Sequence, residues 1–260
     1  MLVDTHIHLY AKDFENDRDQ LIANAKSSGI DMFLMPNISV ETIPEMLALN
    51  ASHNYCLPMF GLHPCDVTKS YESDLDKIKK QLILHRTKTV AIGETGIDMY
   101  WDKTLVTEQV AAFNIQLDWC SEFGLPVVIH SRDSMDLILD ILENRKSDGL
   151  KGVFHCFSGT LEQINRINSL EFYFGIGGVV TFKNGGLDKV IDKIPEEKII
   201  LETDGPYLAP APFRGKRNEP VYLRNIAEKV ADLKGVSLEE IGYLTTKNSK
   251  RLFLLDQPNN

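Results

Sequence analysis

The chain has 260 residues, 43% of them hydrophobic, and its 28 Lys and Arg against 37 Asp and Glu give a formal net charge of −9. That length and composition suffice for one full core, so a single domain is expected over residues 1–260, while the acidic balance argues against broad coating of nucleic acid, which rests on Lys and Arg neutralising phosphates. Cys56, Cys65, Cys120 and Cys156 are dispersed without C-x-x-C spacing, no basic and apolar leader opens the chain, and no apolar run approaches the roughly 20 residues of a membrane span; a reduced cytoplasmic protein without membrane association is expected.

In chain order, short apolar segments alternate with longer amphipathic ones. L-V-D-T-H-I-H (2–8) has branched apolar residues at strand period, so His6 and His8 point to one side of a short strand or leave its end together. Two imidazoles there can grip one metal ion. Residues 15–29 read as a helix stopped by Gly29. The next strand candidates are M-F-L-M-P-N, Y-C-L-P-M-F-G-L-H-P, T-V-A-I-G-E-T-G, L-P-V-V-I-H-S-R-D, G-V-F-H-C-F-S-G, F-Y-F-G-I-G-G and K-I-I-L-E-T-D. Helical stretches over 41–52, 71–86, 104–123, 133–146 and 160–169 fall between them, and a proline-rich, basic loop from Gly205 to Pro220 precedes the last helices. The alternation predicts a (β/α)₈ TIM barrel of the α/β class. A doubly wound open sheet alternates similarly but would carry a glycine-rich phosphate loop after its first strand, and none is present.

The polar residues gather where the strands end. The first strand runs out at His6 and His8, the third into His63, the fourth into Glu94, the fifth into His130 and Arg132, the sixth into His155, and the eighth into Glu202 and Asp204. In a barrel those ends open on one face. Any one of these side chains could be a satisfied core histidine, a cap or a salt-bridge partner. Together at one mouth, without a compensating ion, their desolvation would be unmet. Nitrogen and oxygen donors suit Zn²⁺, Mn²⁺ or Mg²⁺, and Glu94 has two oxygens with which to bridge a pair of ions of the kind that activates water in phosphoryl transfer.

D-T-H-I-H, G-L-H-P, G-E-T-G-I-D, I-H-S-R-D, F-H-C-F-S-G, E-T-D-G-P-Y-L and R-G-K-R-N-E-P occur in that order between residues 4 and 220. With these motifs the chain resembles the TatD family of metal-dependent deoxyribonucleases, in the amidohydrolase superfamily of barrels. The resemblance implies two divalent ions, one held by His6, His8, Glu94 and Asp204 and the other by Glu94, His130 and His155. It further implies that Asp204 takes the proton of the attacking water, and that the substrate is DNA, or RNA, cut from the 3′ end. Many superfamily relatives bridge their metals with a carboxylated lysine from the fourth strand; here that strand brings Glu94. One position departs from the family: Gly205, after Asp204, is commonly Ser or Ala, and a glycine is expected to loosen the backbone beside the base.

The basic loop R-G-K-R-N-E-P places Lys216 and Arg217 after the strand of Asp204, where they, with His63 and Arg132, are expected to hold phosphate oxygens. Tyr100 and Trp101 follow Glu94, where they either stack on a base or pack on the rim. The leading reading is a deoxyribonuclease with no obligate protein partner. A metal-dependent ester or amide hydrolase, such as a D-aminoacyl-tRNA deacylase, would need the same centre. A metal-binding scaffold without turnover would have no use for Asp204 as a base.

Overall fold

A computed structural model describes residues 1–101 and 103–255. Its strands are β1 (Leu2–Asp4), β2 (Ile30–Met35), β3 (Cys56–Pro58), β4 (Ile92–Asp98), β5 (Val127–Arg132), β6 (Gly152–Phe154), β7 (Tyr173–Ile176) and β8 (Ile199–Leu201). All pairings are parallel, within a β1-β2-β3 group and a β4-to-β8 group. Phe60 bridges to Ile92 to join the groups on one side, and the Thr5 amide donates to the Leu201 carbonyl at 3.0 Å to close the other. The result is the expected (β/α)₈ barrel.

Because parallel strands are covered on both faces, they are apolar nearly throughout. Residues from successive strands, Val3, Leu34, Val128, Val153, Tyr173 and Ile200, form one buried cluster with Met59 and Ala91. That is the filled barrel interior, closed at its N-terminal end by Leu252 and Phe253. A second cluster lies between the strands and the surrounding helices α1 (Arg18–Ser27), α2 (Ile43–Ser52), α3 (Tyr71–Leu84), α4 (Val106–Phe123), α5 (Met135–Asn144), α6 (Leu161–Ser169), α7 (Leu223–Lys234) and α8 (Leu238–Phe253). Local signals set the ends: the Thr160 hydroxyl accepts from the Gln163 amide at the start of α6, and α4 stops where Gly124 turns left-handed at φ 63°.

The helix ring is uneven. Between β7 and β8 the described residues form only short 3₁₀ turns, among them Leu187–Lys189 and Ile191–Lys193, and α7, which follows β8, packs against this link. Leu187, Ile191 and Ile194 bury the apolar surface that a helix would have supplied.

Candidate metal centre

The site begins at the seam between the first and last strands. β1 ends at Asp4, so His6 and His8 leave the strand end together instead of sharing a strand face. Asp4 is fully buried and accepts hydrogen bonds from the Thr203 amide (2.9 Å) and the Thr203 hydroxyl (2.6 Å). The Asp204 amide donates to the His6 carbonyl at 2.9 Å, and Asp204 adopts a left-handed φ of 61°, a region that Asp tolerates better than most residues. Burial pushes the Asp4 carboxyl up to about 8, against the hydrogen bonds from Thr203 and His6.

Glu94 lies in the third position of β4, not at the strand end as expected, and is 3% exposed. The β4–β5 register shifts between Ile92 and Thr95, and the Glu94 amide donates to the Asn37 carbonyl beyond β2. Gly96 (φ 145°) must be glycine, because a Cβ there would lie 2.0 Å from the His130 carbonyl oxygen. So placed, Glu94 sits at the middle of the cluster. Its Oε2 is 3.2 Å from His6 Nε2 and 3.8 Å from His8 Nε2, while its Oε1 is 3.0 Å from His130 Nδ1, 3.2 Å from His155 Nε2 and 3.5 Å from His63 Nε2.

The outer partners of the histidines decide their chemistry. Tyr10 donates its hydroxyl hydrogen to the Pro36 carbonyl, so His8 Nδ1, 3.0 Å from that oxygen, must be the donor. This leaves a lone pair on His8 Nε2, which lies 3.6 Å from Asp204 Oδ1. His130 Nε2 faces Asp98 Oδ2 at 2.9 Å, and His155 Nδ1 faces Glu202 Oε1 at 3.1 Å. Each carboxylate takes the outer N–H and leaves the inner nitrogen basic. His6 is 0% exposed, and among the described residues neither of its ring nitrogens has a partner in hydrogen-bond geometry, although Nε2 stands 3.2 Å from Glu94 Oε2. Basic nitrogens turned toward a buried carboxylate, beside an orphaned histidine, fit a cation between them.

The electrostatics agree. Burial opposes charge on His155, but Glu94 and Glu202 outweigh it and hold its pKa well above the usual value. Burial opposes ionisation of Glu94 as well, yet His155, His6, His63 and His130 hold it well below the carboxylate range. His6 goes the other way, lowered by burial and by the neighbouring His155. The buried Glu94 thus draws positive charge to His155, while His6 beside it stays neutral more readily.

His63 joins Glu94 and His130 in one potential ligand group, and His6 falls in two others, one with His8 and Asp204 and one with His155 and Glu202. The sequence reading had set Asp98 and Glu202 no task in the site. Gly175 makes room for Glu202, since a Cβ there would lie 2.4 Å from Glu202 Oε2.

Not every expected contact sits at the mouth. Arg217, expected to grip phosphate, holds Asp17 with both nitrogens (2.9 and 2.6 Å) and reaches Glu219 at 3.2 Å, tying the basic loop to the start of α1. Its fork is already filled. Lys216 and Arg132 are exposed. Asn218, from the same loop, is fully buried and donates to the Thr203 and Tyr207 carbonyls at 2.6 and 2.7 Å. Nor is Gly205 loose: its amide donates to Thr203 Oγ1, its carbonyl accepts from the His8 amide at 2.8 Å, and an added Cβ would stand 3.3 Å from Ile7. A groove of about 960 Å³ opens at the opposite end of the barrel, beside α8, but no histidine lines it.

A (β/α)₈ barrel that presents a histidine–carboxylate cluster at the C-terminal ends of its strands has the architecture of a metal-dependent hydrolase. The family model for TatD related DNase matches residues 3–254, and the chain belongs to that family. It is 38% identical over 257 residues to the uncharacterized metal-dependent hydrolase YabD of Bacillus subtilis (strain 168), covering 98% of this chain and 100% of the relative. It is 30% identical over 261 residues to the 3'-5' ssDNA/RNA exonuclease TatD of Pectobacterium parmentieri, covering 98% and 100%. Among solved structures it resembles YJJV, a TatD homolog from Escherichia coli K12, with a TM-score of 0.92, 28% identity and coverage of 97% and 98%.

Proposed function

We propose that this metal-dependent hydrolase is a nuclease that cleaves phosphodiester bonds of single-stranded DNA, and of RNA, from the 3′ end. The observation that carries the reading is the ring of basic histidine nitrogens around Glu94 with the unpartnered His6 beside it. The exonuclease name of the Pectobacterium relative supports the choice of substrate. His6, His8, Glu94 and Asp204 would hold one divalent ion, and Glu94, His130 and His155 a second. When bound, such ions acidify water and stabilise charge developing on phosphoryl oxygen.

The protein's own groups do the remaining work. Asp204 accepts the proton of the attacking water on its carboxylate. The Cys65 amide donates to His63 Nδ1, which leaves the proton of the neutral ring on Nε2, 3.3 Å from His130 Nδ1 and 3.5 Å from Glu94 Oε1, where it can donate to a phosphate oxygen held beside them. The outer carboxylates of Asp98 and Glu202 keep His130 and His155 turned inward.

The test is the purified protein with Mg²⁺, Mn²⁺ or Zn²⁺ against 3′-labelled single-stranded DNA, a D-aminoacyl-tRNA and a lactone panel, with metal analysis alongside. Stepwise loss of 3′ nucleotides that chelation abolishes is expected. Turnover of only the ester substrates would move the assignment to a small-substrate hydrolase, and full activity in metal-free protein would end it.

A further inference from the structure

We propose that the loop after β4 carries a stacking subsite for an unpaired nucleobase, built from Trp101, Tyr100 and Arg132 and coupled to the catalytic cluster through Asp98. The proposal rests on the nuclease reading above and names what that site recognises beyond a phosphodiester.

Trp101 and Tyr100 are 71% and 53% exposed, so neither packs away on the rim. Side by side they form a contiguous exposed aromatic patch, the kind of surface that marks an interaction site where a single exposed ring would not. The two rings stand edge to face with centroids 5.0 Å apart. The guanidinium of the exposed Arg132 lies 4.1 Å from the Tyr100 ring centre and 5.8 Å from that of Trp101, which adds a positive charge to the apolar surface. A flat ring followed by a phosphate is the ligand that matches such a pair, and stacking is indifferent to the identity of the base.

Asp98 sets the position. One oxygen, Oδ1, accepts from the Tyr100 and Trp101 amides at 2.8 and 3.1 Å, and the other, Oδ2, faces His130 Nε2 at 2.9 Å. The carboxylate that turns His130 toward Glu94 therefore also holds the backbone that carries the two rings. A base inside a duplex has both faces covered by its stacked neighbours, so the subsite selects an unstacked base of a frayed or single-stranded end.

The chain has two tryptophans, and the other, Trp119, is 3% exposed, which makes Trp101 a native reporter. Phosphorothioate-linked oligothymidylate is titrated into the metal-loaded protein, following emission in a Trp119→Phe variant and at the red edge of wild-type emission. A matched strand bearing abasic residues is the control, and fluorescence anisotropy of labelled strands measures binding independently. Quenching by the thymidylate alone is expected, with about tenfold weaker binding of the abasic strand and the same loss in Trp101→Ala, while Trp101→Phe restores most of it. Binding without quenching, equal for both strands, overturns the subsite and leaves the nuclease reading standing. Neither binding nor hydrolysis of any strand removes both.

Discussion

The two halves of the mouth are built differently. On the seam side, Asp4, Thr203, Gly205 and Asn218 lock the ends of β1 and β8 together through backbone and buried side-chain hydrogen bonds, and His6, His8 and Asp204 ride on that lock. On the rim side, His63 and His130 are partly exposed, and Asp98 links His130 to an open aromatic loop. The difference separates rigid holding of a cation from contact with whatever arrives. Damage to the hydrogen bonds that lock the seam should cost the fold and the metal together, whereas damage to the rim should cost turnover and affinity with the fold intact.

The largest effect is expected from Asp204→Asn, which keeps size and one ligand oxygen but cannot take a proton: metal content stays near wild type while turnover falls ~10²–10⁴-fold. Single-turnover kinetics with metal analysis reads this, and wild-type turnover would assign the base elsewhere. On the rim, Asp98→Asn should weaken metal binding or activity ~10–100-fold with an unchanged melting temperature, as for loss of a group that orients a ligand. A large drop in melting temperature would mean that rim and seam are one structural unit. On the seam, Thr203→Val leaves the buried Asp4 without its hydroxyl donor and should cost ~1.5–3 kcal/mol in denaturant unfolding, along with metal.

A pH series sharpens the contrast. Burial works against charge on His63, but Glu94 outweighs it and lifts the pKa from 6.5 to about 9. Because the folded value is the higher one, this group stabilises the metal-free protein fully below about pH 6.5, and that stability is lost as the pH rises through 9. Asp4, raised from 3.8 to about 8 on the seam, acts in the same direction: burial favours its protonated form in the fold, so stability is lost from about pH 3.8 upward and the loss is complete once the pH has risen through 8. Melting temperature in chelator should therefore fall between pH 6.5 and 9. With saturating metal the trend should reverse, because ligands must be deprotonated to bind. The smallest effect separates two neighbours: Lys216→Ala should lower the salt slope of single-strand binding by ~0.7, while Arg217→Ala, already paired with Asp17, should leave it unchanged. Equal loss in both would return Arg217 to the phosphate contacts.

The barrel and the gathering of histidines and carboxylates at its mouth were legible because both rest on local patterns. Apolar runs set the strands, and the histidines follow their ends at short range. Asp98 and Glu202 stood inside recognised motifs, but a carboxylate beside a strand end does not say whether it faces a metal or the far nitrogen of a histidine. The pairing of Arg217 with Asp17 joins residues 200 positions apart, and no local pattern carries it. Nor did alternation alone show that the link after β7 would do without an α-helix and that α7, from beyond β8, would cover it.

The bond between Asp4 and Thr203 spans 199 positions, so the first histidines stay without their counterparts until the last strand is made. During synthesis an N-terminal fragment carries Asp4, His6 and His8, but not the Thr203 and Asp204 that meet them at the seam. The cluster is thus complete only when the barrel closes, so an unfinished chain lacks the full hydrolase site and assembly of that site becomes a readout of completed folding.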